Sequence, residues 1–253
     1  MLAFLSPAKS LDYQRPVPPV PATLPRFAQQ ADRLAAAAAR LGKRKLGELM
    51  HISDKLAELN ASRFRNFPDA EDRQALYAFN GDVYLGFEAR SLDEPAIAFA
   101  QDHVRILSGL YGLLRPLDRI RPYRLEMGTR WAPGRARTLY DWWGKPVSEA
   151  IAADLAEEGS GTIINLASQE YWGVVARHPP AGAHIITIDF REHGPHGLRF
   201  NSFAAKRARG MMARWLCEHR LVEPDQLKDF DSDGYAFDAA GSQRDQWLFV
   251  RKS

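Results

Sequence analysis

Apolar positions recur along this chain with two different periods, and the changes of period mark its elements. Met1 to Leu5 (MLAFL) is a short apolar run closed by SPAKS, the pattern of a buried strand ending in a loop. RPVPPVP follows; its prolines fix φ and withhold N–H donors, which favours an extended connector. Thr23 and Pro25 supply start signals, and Phe27, Ala31, Leu34, Ala38 and Leu41 then recur at helical spacing. Beyond a basic GKRK turn, Leu46, Leu49, Met50, Leu56 and Leu59 predict a second helical stretch. It breaks near Ser53, which caps a new helix carrying Asp54 and Lys55. Asp72 to Phe79 and Glu94 to Leu107 read as further helices.

The second half reads differently. TIINL (Thr162 to Leu166) and HIITIDF (His184 to Phe190) are rich in β-branched residues and bounded by Gly, Pro and Ser, so they predict buried strands, with Leu198 to Phe200 pairing beside them. Ser202 to Val222 is the best-patterned helix. Ala208, Met211, Met212, Trp215 and Leu216 share one face, and Lys206, Arg207, Arg209, Arg214 and Arg220 spread around the other. Tyr235 to Phe237 and Gln246 to Arg251 flank a Gly-Ser-Gln turn and predict a hairpin. There is no internal repeat. Intermingled strands and helices point to an α/β (mixed α+β) fold, a single domain over residues 1–253 with a mixed sheet surrounded by helices.

Composition narrows this to a globular protein: 45% hydrophobic and 26% charged residues are ordinary proportions. The lone Cys217 allows neither an intrachain disulfide nor a cysteine-based metal site, and it suits a reducing compartment. Lys9 and Asp12 interrupt the first apolar run too early for a signal peptide, and no run approaches a membrane span, so a cytoplasmic location is expected. A net charge of +3 says little about partners, but its distribution says more. From Arg105 to Lys145 there are nine Lys or Arg against three Asp or Glu, whereas Glu223 to Asp238 carries six acids against Lys228.

Two constellations have chemical content. In LSGLYGLLRPLDRIRPYR, Gly109 and Gly112 bracket a turn, and Arg115, Arg119, Arg121 and Arg124 follow. Exposed backbone N–H groups and arginines in that order suit phosphate; a glycine turn with solvated arginines is the plainer alternative. Lys206, Arg207, Arg209 and Arg214 pose the same choice between a phosphate-facing helix and a solvated one. The second constellation sits at predicted strand ends: Ser6 and Lys9 after the first strand, and Asn165, Ser168, Glu170 and Tyr171 after TIINL. Sheet termini are where open α/β folds place ligands. There Lys9 would neutralise an anion, Asn165 and Ser168 orient it, and Glu170 accept a proton if burial raised its pKa; local caps and a surface lysine are the alternative.

Sharper templates are missing. There is no G-x-x-x-x-G-K-[ST] loop, G-x-S-x-G elbow, H-E-x-x-H motif or G-x-G-x-x-G fingerprint, so no reaction and no cofactor are assigned. Asp229, Asp231, Asp233 and Gly234 imitate the start of a calcium loop, but Ala240 stands where the twelfth-position Glu is required. His193 and His196 lie in a Gly/Pro-rich loop without clustered carboxylates, so no metal site is expected there.

The segments LSPAKSLDY, HISDKLAELNASRF, FNGDVYLGF, LSGLYGLLRPLDRIRPYRLEMG, INLASQEYW and AAKRARGMMARW, taken together and in order, resemble the motifs of the YaaA family of peroxide-stress proteins. That resemblance covers nearly the whole chain. It implies a cytoplasmic bacterial protein of the hydrogen peroxide response, associated with limiting damage from unincorporated iron. It also implies one α/β fold with a basic cleft and a helix-hairpin-helix-like element that binds DNA by structure rather than sequence. On this chain that hairpin maps to Gly109 through Gly112, with Arg115 and its neighbours near phosphates, although two residues separate the glycines where the usual motif has one. Lys9, Lys55, Arg63, Arg124, Glu126, Asn165 and Glu170 fall within the matching segments without assigned roles, and Lys55 and Arg63 join the strand-end residues as pocket candidates. A small anionic ligand at the strand ends is the alternative partner to DNA; a membrane is not expected.

Overall fold

In the computed structural model, which describes residues 1–251, the strands and helices run in chain order as follows. They are β1 (Leu2–Leu5), α1 (Ala28–Ala39), α2 (Gly42–Met50), α3 (Asp54–Arg65), β2 (Arg73–Gln74), α4 (Ala75–Ala78), α5 (Asp82–Phe87), α6 (Glu94–His103), β3 (Val104–Ser108), β4 (Gly112–Leu114) and β5 (Arg119–Ile120). The chain continues through α7 (Leu139–Glu158), β6 (Thr162–Asn165), α8 (Gln169–Ala176), β7 (His184–Gly194), β8 (Gly197–Arg199), α9 (Ser202–Glu218), β9 (Tyr235–Phe237) and β10 (Gln246–Arg251). The mixed α/β class expected from the pattern is the fold observed.

One sheet organises the molecule in the order β4-β3-β1-β6-β7-β10-β9, with β8 folded back on β7. β3, β1, β6, β7 and β10 are mutually parallel, and β4 and β9 close the edges antiparallel. Every residue of β1 is buried, as a central parallel strand covered on both faces requires. β1 and β6 are neighbours, yet the next strand after β1 is β3 on one side and the next after β6 is β7 on the other. The loops leaving β1 and β6 therefore diverge, and a crevice opens at their carboxyl ends.

Local chemistry sets several boundaries. Ser53 is the N-cap of α3, its hydroxyl accepting from Leu56 N, and His51 ends α2 in the left-handed conformation (φ 51°). The result is two helices joined by a three-residue turn. Thr138 and Asp141 form a reciprocal capping box that starts α7, and Gly159 (φ 90°) stops it. α5 and α9 approach until their backbones nearly touch: a Cβ on Gly210 would lie 1.8 Å from the Val83 carbonyl oxygen.

Three expected elements differ. Glu94 to Leu107 is helical only to His103; Val104–Ser108 is strand β3, because pairing with β1 outweighs the local helical pattern. Asp72 to Phe79 holds a two-residue strand and a single helical turn, since Arg73 and Gln74 pair with Ile120 and Arg119 of β5. The segment Gly109 to Gly112 joins β3 to β4, so it is the turn of a β-hairpin and not of a helix-hairpin-helix. Its residues are buried: a Cβ on Gly109 would sit 2.1 Å from the Leu125 carbonyl oxygen, and one on Gly112 (φ 69°) 2.7 Å from the Trp143 ring. Glycine is required here for packing, and the turn presents no N–H groups to solvent.

Candidate anion-binding crevice

The crevice is built at the switch between β1 and β6. Ser6 follows β1 and Ser168 caps α8 after β6; Ser168 N donates to Ser6 Oγ at 2.9 Å, and the two hydroxyls lie 3.3 Å apart. Tyr84 of α5 donates to the Ser6 carbonyl at 3.1 Å, holding the loop from the other side. The segment from Tyr123 to Glu126 crosses this opening. Tyr123 Oη and Ser108 Oγ are 2.7 Å apart at the carboxyl end of β3, which fixes the crossing strand against the sheet.

Glu126 stands at the centre. Its Oε1 receives Arg124 at 3.0 Å and lies 3.4 Å from Lys9 Nζ. Its Oε2 is buried and has no hydrogen-bond partner among the described residues. Pro7, Ala8, Lys9, Tyr123 and Tyr171 complete the wall. Burial raises the pKa of Tyr84, Tyr123 and Tyr171, which keeps those hydroxyls protonated.

Arg63, in the last turn of α3, adds a third cation beside Arg124. It is half-buried, its one side-chain contact is Asn60 Oδ1 at 3.5 Å, and no carboxylate pairs with it among the described residues. Burial lowers its pKa, Tyr13 opposes that, and the like charge of Arg124 lowers it further. A guanidinium in that setting gains when an anion arrives. Lys55 lies eight residues earlier on α3, about 12 Å along the axis and about 80° around it. It too has no carboxylate partner among the described residues, so α3 carries two unpaired cations, Lys55 in its first turn and Arg63 beside Arg124.

The enclosed cavity is only about 10 Å³, room for one water. Small-molecule sites occupy several hundred Å³. The opening is therefore too small to enclose a metabolite, and Lys9 stands at its mouth with its side chain 61% exposed. A wider groove of about 580 Å³ lies at the opposite edge of the sheet, beside His184 and Trp247, but Lys228 covers the Trp247 and Phe237 rings and none of the sequence candidates is present.

Of the strand-end candidates, Lys9 and Tyr171 line the opening, while Ser6 and Ser168 are bonded to each other and tie the ends of β1 and β6 together beside it. Glu170 turns aside: its Oε1 accepts from Gly128 N at 3.1 Å, and it anchors a loop instead of facing the cavity. Asn165 shapes the turn after β6, accepting from Ala167 N at 3.0 Å. Glu126 becomes central only in three dimensions, the RLE triplet after RPY being its signal in the sequence, and Arg63, a pocket candidate from the sequence, stands beside Arg124.

The arginines after the hairpin are already matched. Arg115 pairs with Asp118, Arg119 with Asp72 and Arg121 with Asp32. Arg105 belongs to the buried interior, its Nε 2.6 Å from Asp154 of α7. On α9, Arg214 holds the carbonyls of Phe87 and Glu88 and the carboxylate of Glu218. Arg209 is half-buried with an unpartnered Nε among the described residues, while Lys206 and Arg207 are exposed with no carboxylate partner among them. Unpaired cations thus remain on α3 beside the crevice, at the start of α9, and in the segment before α7, where Arg130, Arg135 and Arg137 are exposed without a carboxylate partner among the described residues. Among the described residues no group of three or more His, Cys, Asp or Glu side chains gathers as metal ligands, and no helix is long and apolar enough to cross a membrane.

Fold and crevice together define an open α/β protein with a cation-lined opening at its topological switch point. The family model described as peroxide stress protein YaaA matches residues 1–241. A UPF0246 protein of Rhizorhabdus wittichii is 67% identical over 251 residues, covering 99% of both chains. One from Paracidovorax citrulli is 50% identical over all of this chain and 99% of its own, and one from Idiomarina loihiensis 46% over 99% and 98%. The chain belongs to the YaaA family of peroxide stress proteins.

Proposed function

We propose that the protein serves in peroxide stress by binding the sugar-phosphate backbone of DNA along α3 and the mouth of the β1/β6 crevice. The observation that carries this reading is Arg63: a half-buried guanidinium beside Arg124 with no carboxylate partner among the described residues. Lys55 and Arg63, together with Arg124 and Lys9, which share the single Glu126 carboxylate, then supply four cations to phosphates. The α2-turn-α3 pair takes the place the Gly109–Gly112 turn was expected to hold; Lys43, Arg44 and Lys45 near its start are already paired with Asp54, Glu58 and Glu48 and add little to it. A protein lying along DNA shields it from iron-derived oxidants, which is how this reading connects to limiting iron-dependent damage.

The second reading is an enzyme acting on a small phosphorylated or nucleotide-like ligand held by the same cations, and the unpartnered Glu126 Oε2 favours it as an acceptor for a ligand N–H or O–H. The small cavity argues for the first.

The test is a salt titration of duplex binding by fluorescence anisotropy for the wild type and for K55Q/R63Q. Each lost phosphate contact flattens the log–log salt slope by about 0.9, so the double variant loses about 1.8 and binds tens of times more weakly at ~0.1 M salt. An unchanged slope in a variant that melts like the wild type overturns the placement. A phosphorylated metabolite that co-purifies with the wild type and is absent from the variant favours the enzyme reading.

A further inference from the structure

Three large apolar side chains stand in solvent at one corner of the molecule: Phe203 is 73% exposed, Phe200 50% and Leu198 46%. Their backbone is firmly held. β8 pairs with the end of β7, Glu192 to Arg199 and His193 to Leu198. The buried Glu192 carboxylate accepts from Asn201 Nδ2 at 3.2 and 3.3 Å, from Arg199 at 3.1 Å, and from Arg251. Asn201 Oδ1 in turn caps α9, accepting from Phe203 N at 3.2 Å and Ala204 N at 3.3 Å. Exposed aromatic rings on a paired and capped backbone differ from a frayed loop; such patches mark binding surfaces.

The charge around them selects the partner. Arg191 lies 5.3 Å from the centre of the Phe200 ring and Lys206 5.7 Å from that of Phe203. Lys206 and Arg207 are exposed and without carboxylate partners among the described residues. A second copy of this chain would bring like charges together, so it does not fit. The partner must offer flat faces to the rings and negative charge to the lysine and arginine. Nucleobases on a phosphodiester chain have both, and the bases must be unpaired to reach a ring.

The position agrees. β7 runs seven residues past Thr187, the partner of the last residue of β6, so the tip of the hairpin lies roughly 20 Å beyond the end of β6, on the carboxyl side where the crevice opens, with β10 alongside it as far as Glu192.

We infer that Phe200 and Phe203, with Lys206 and Arg207, form a stacking platform for unpaired bases of single-stranded DNA. This rests on the reading that the protein binds DNA, and it assigns a second surface to that role, separate from the α3 cations.

The probes are a labelled oligothymidylate of about 20 nucleotides, of the size a single-strand groove spans, and a duplex of equal length. F200A/F203A is expected to weaken oligothymidylate binding by about ten-fold or more with its salt slope intact, since stacking releases no counterions. F200L/F203L keeps apolar area without the ring face and is expected to remain weak. K206Q/R207Q is expected to flatten the slope. Duplex binding by the phenylalanine variants stays at the wild-type level, while K55Q/R63Q loses it, which separates this inference from the reading it rests on. Wild-type oligothymidylate affinity in folded F200A/F203A, or full rescue by the leucines, overturns the platform. So does binding to phosphatidylserine vesicles that the phenylalanine variants lose while oligothymidylate binding persists, because the corner would then meet lipid.

Discussion

Replacing Glu126 by Gln tests the crevice by strengthening it. Lys9 and Arg124 place two positive charges at one carboxylate, whose Oε1 engages Arg124 at 3.0 Å and Lys9 at 3.4 Å, and Arg63 lies beside Arg124. Glutamine keeps the shape and one acceptor oxygen and removes the charge that competes with an incoming phosphate. If the change frees one cation for a phosphate, the salt slope steepens by about 0.9. Taking that contact as worthless at ~1 M salt, affinity at ~0.1 M rises about 8-fold. Stability moves the other way. The Lys9 pair contributes little because Lys9 is largely exposed, so the loss falls on the Arg124 pair, 16% and 11% exposed, at about 1–3 kcal/mol. Anisotropy titrations at several salt concentrations read the first effect, and urea unfolding reads the second. A folded E126Q protein that binds DNA more weakly than the wild type, or with an unchanged slope, refutes the argument that these cations face phosphate.

Two further outcomes test the scaffold. Gly210→Ala places a Cβ 1.8 Å from the Val83 carbonyl oxygen and 2.8 Å from Phe87 N, both backbone atoms that no rotamer change can move aside. α5 and α9 must separate, and a thermal melt should show a net loss of about 2 kcal/mol despite alanine's higher helix propensity. Asp12 accepts from the backbone N–H groups of Gln14 and Arg15 and pairs with the Arg15 side chain, which holds its carboxyl down at about 2. Its folded pKa lies below the unfolded one, so the stability it lends is complete above about pH 5 and disappears as pH falls towards 2. Urea midpoints of wild type and D12N should therefore differ at neutral pH and converge in acid; a gap that persists near pH 2 contradicts this origin.

Much of the fold was readable because each signal was local. β1, β6 and the start of β7 are short apolar or β-branched runs between turn residues, and α9 carries its stripe in plain view. α7 also had its signals, the Thr138–Asp141 capping box, apolar residues at Leu139, Trp143, Val147 and Ile151, and Gly159, but Gly144 and Pro146 interrupt them. β3 was hidden. VRILS follows α6 with no glycine or proline between, and only its pairing with β1 makes it a strand.

What the sequence determined by itself was the mixed α/β class, the separate clusters of positive charge and the polar residues that follow the first and sixth strands, because all of these depend on neighbours along the chain. The tertiary structure decided which charges matter. It matched Arg115, Arg119 and Arg121 with carboxylates from distant or adjacent segments, buried Arg105 against Asp154, and left Lys55 and Arg63 without acids among the described residues. It also turned the glycine pair at Gly109 and Gly112 inward and Phe200 and Phe203 outward. Whether a charge is spent or free depends on what lies within 4 Å of it in space, and a residue's partners there are set by how the sheet orders its strands, which no local pattern encodes.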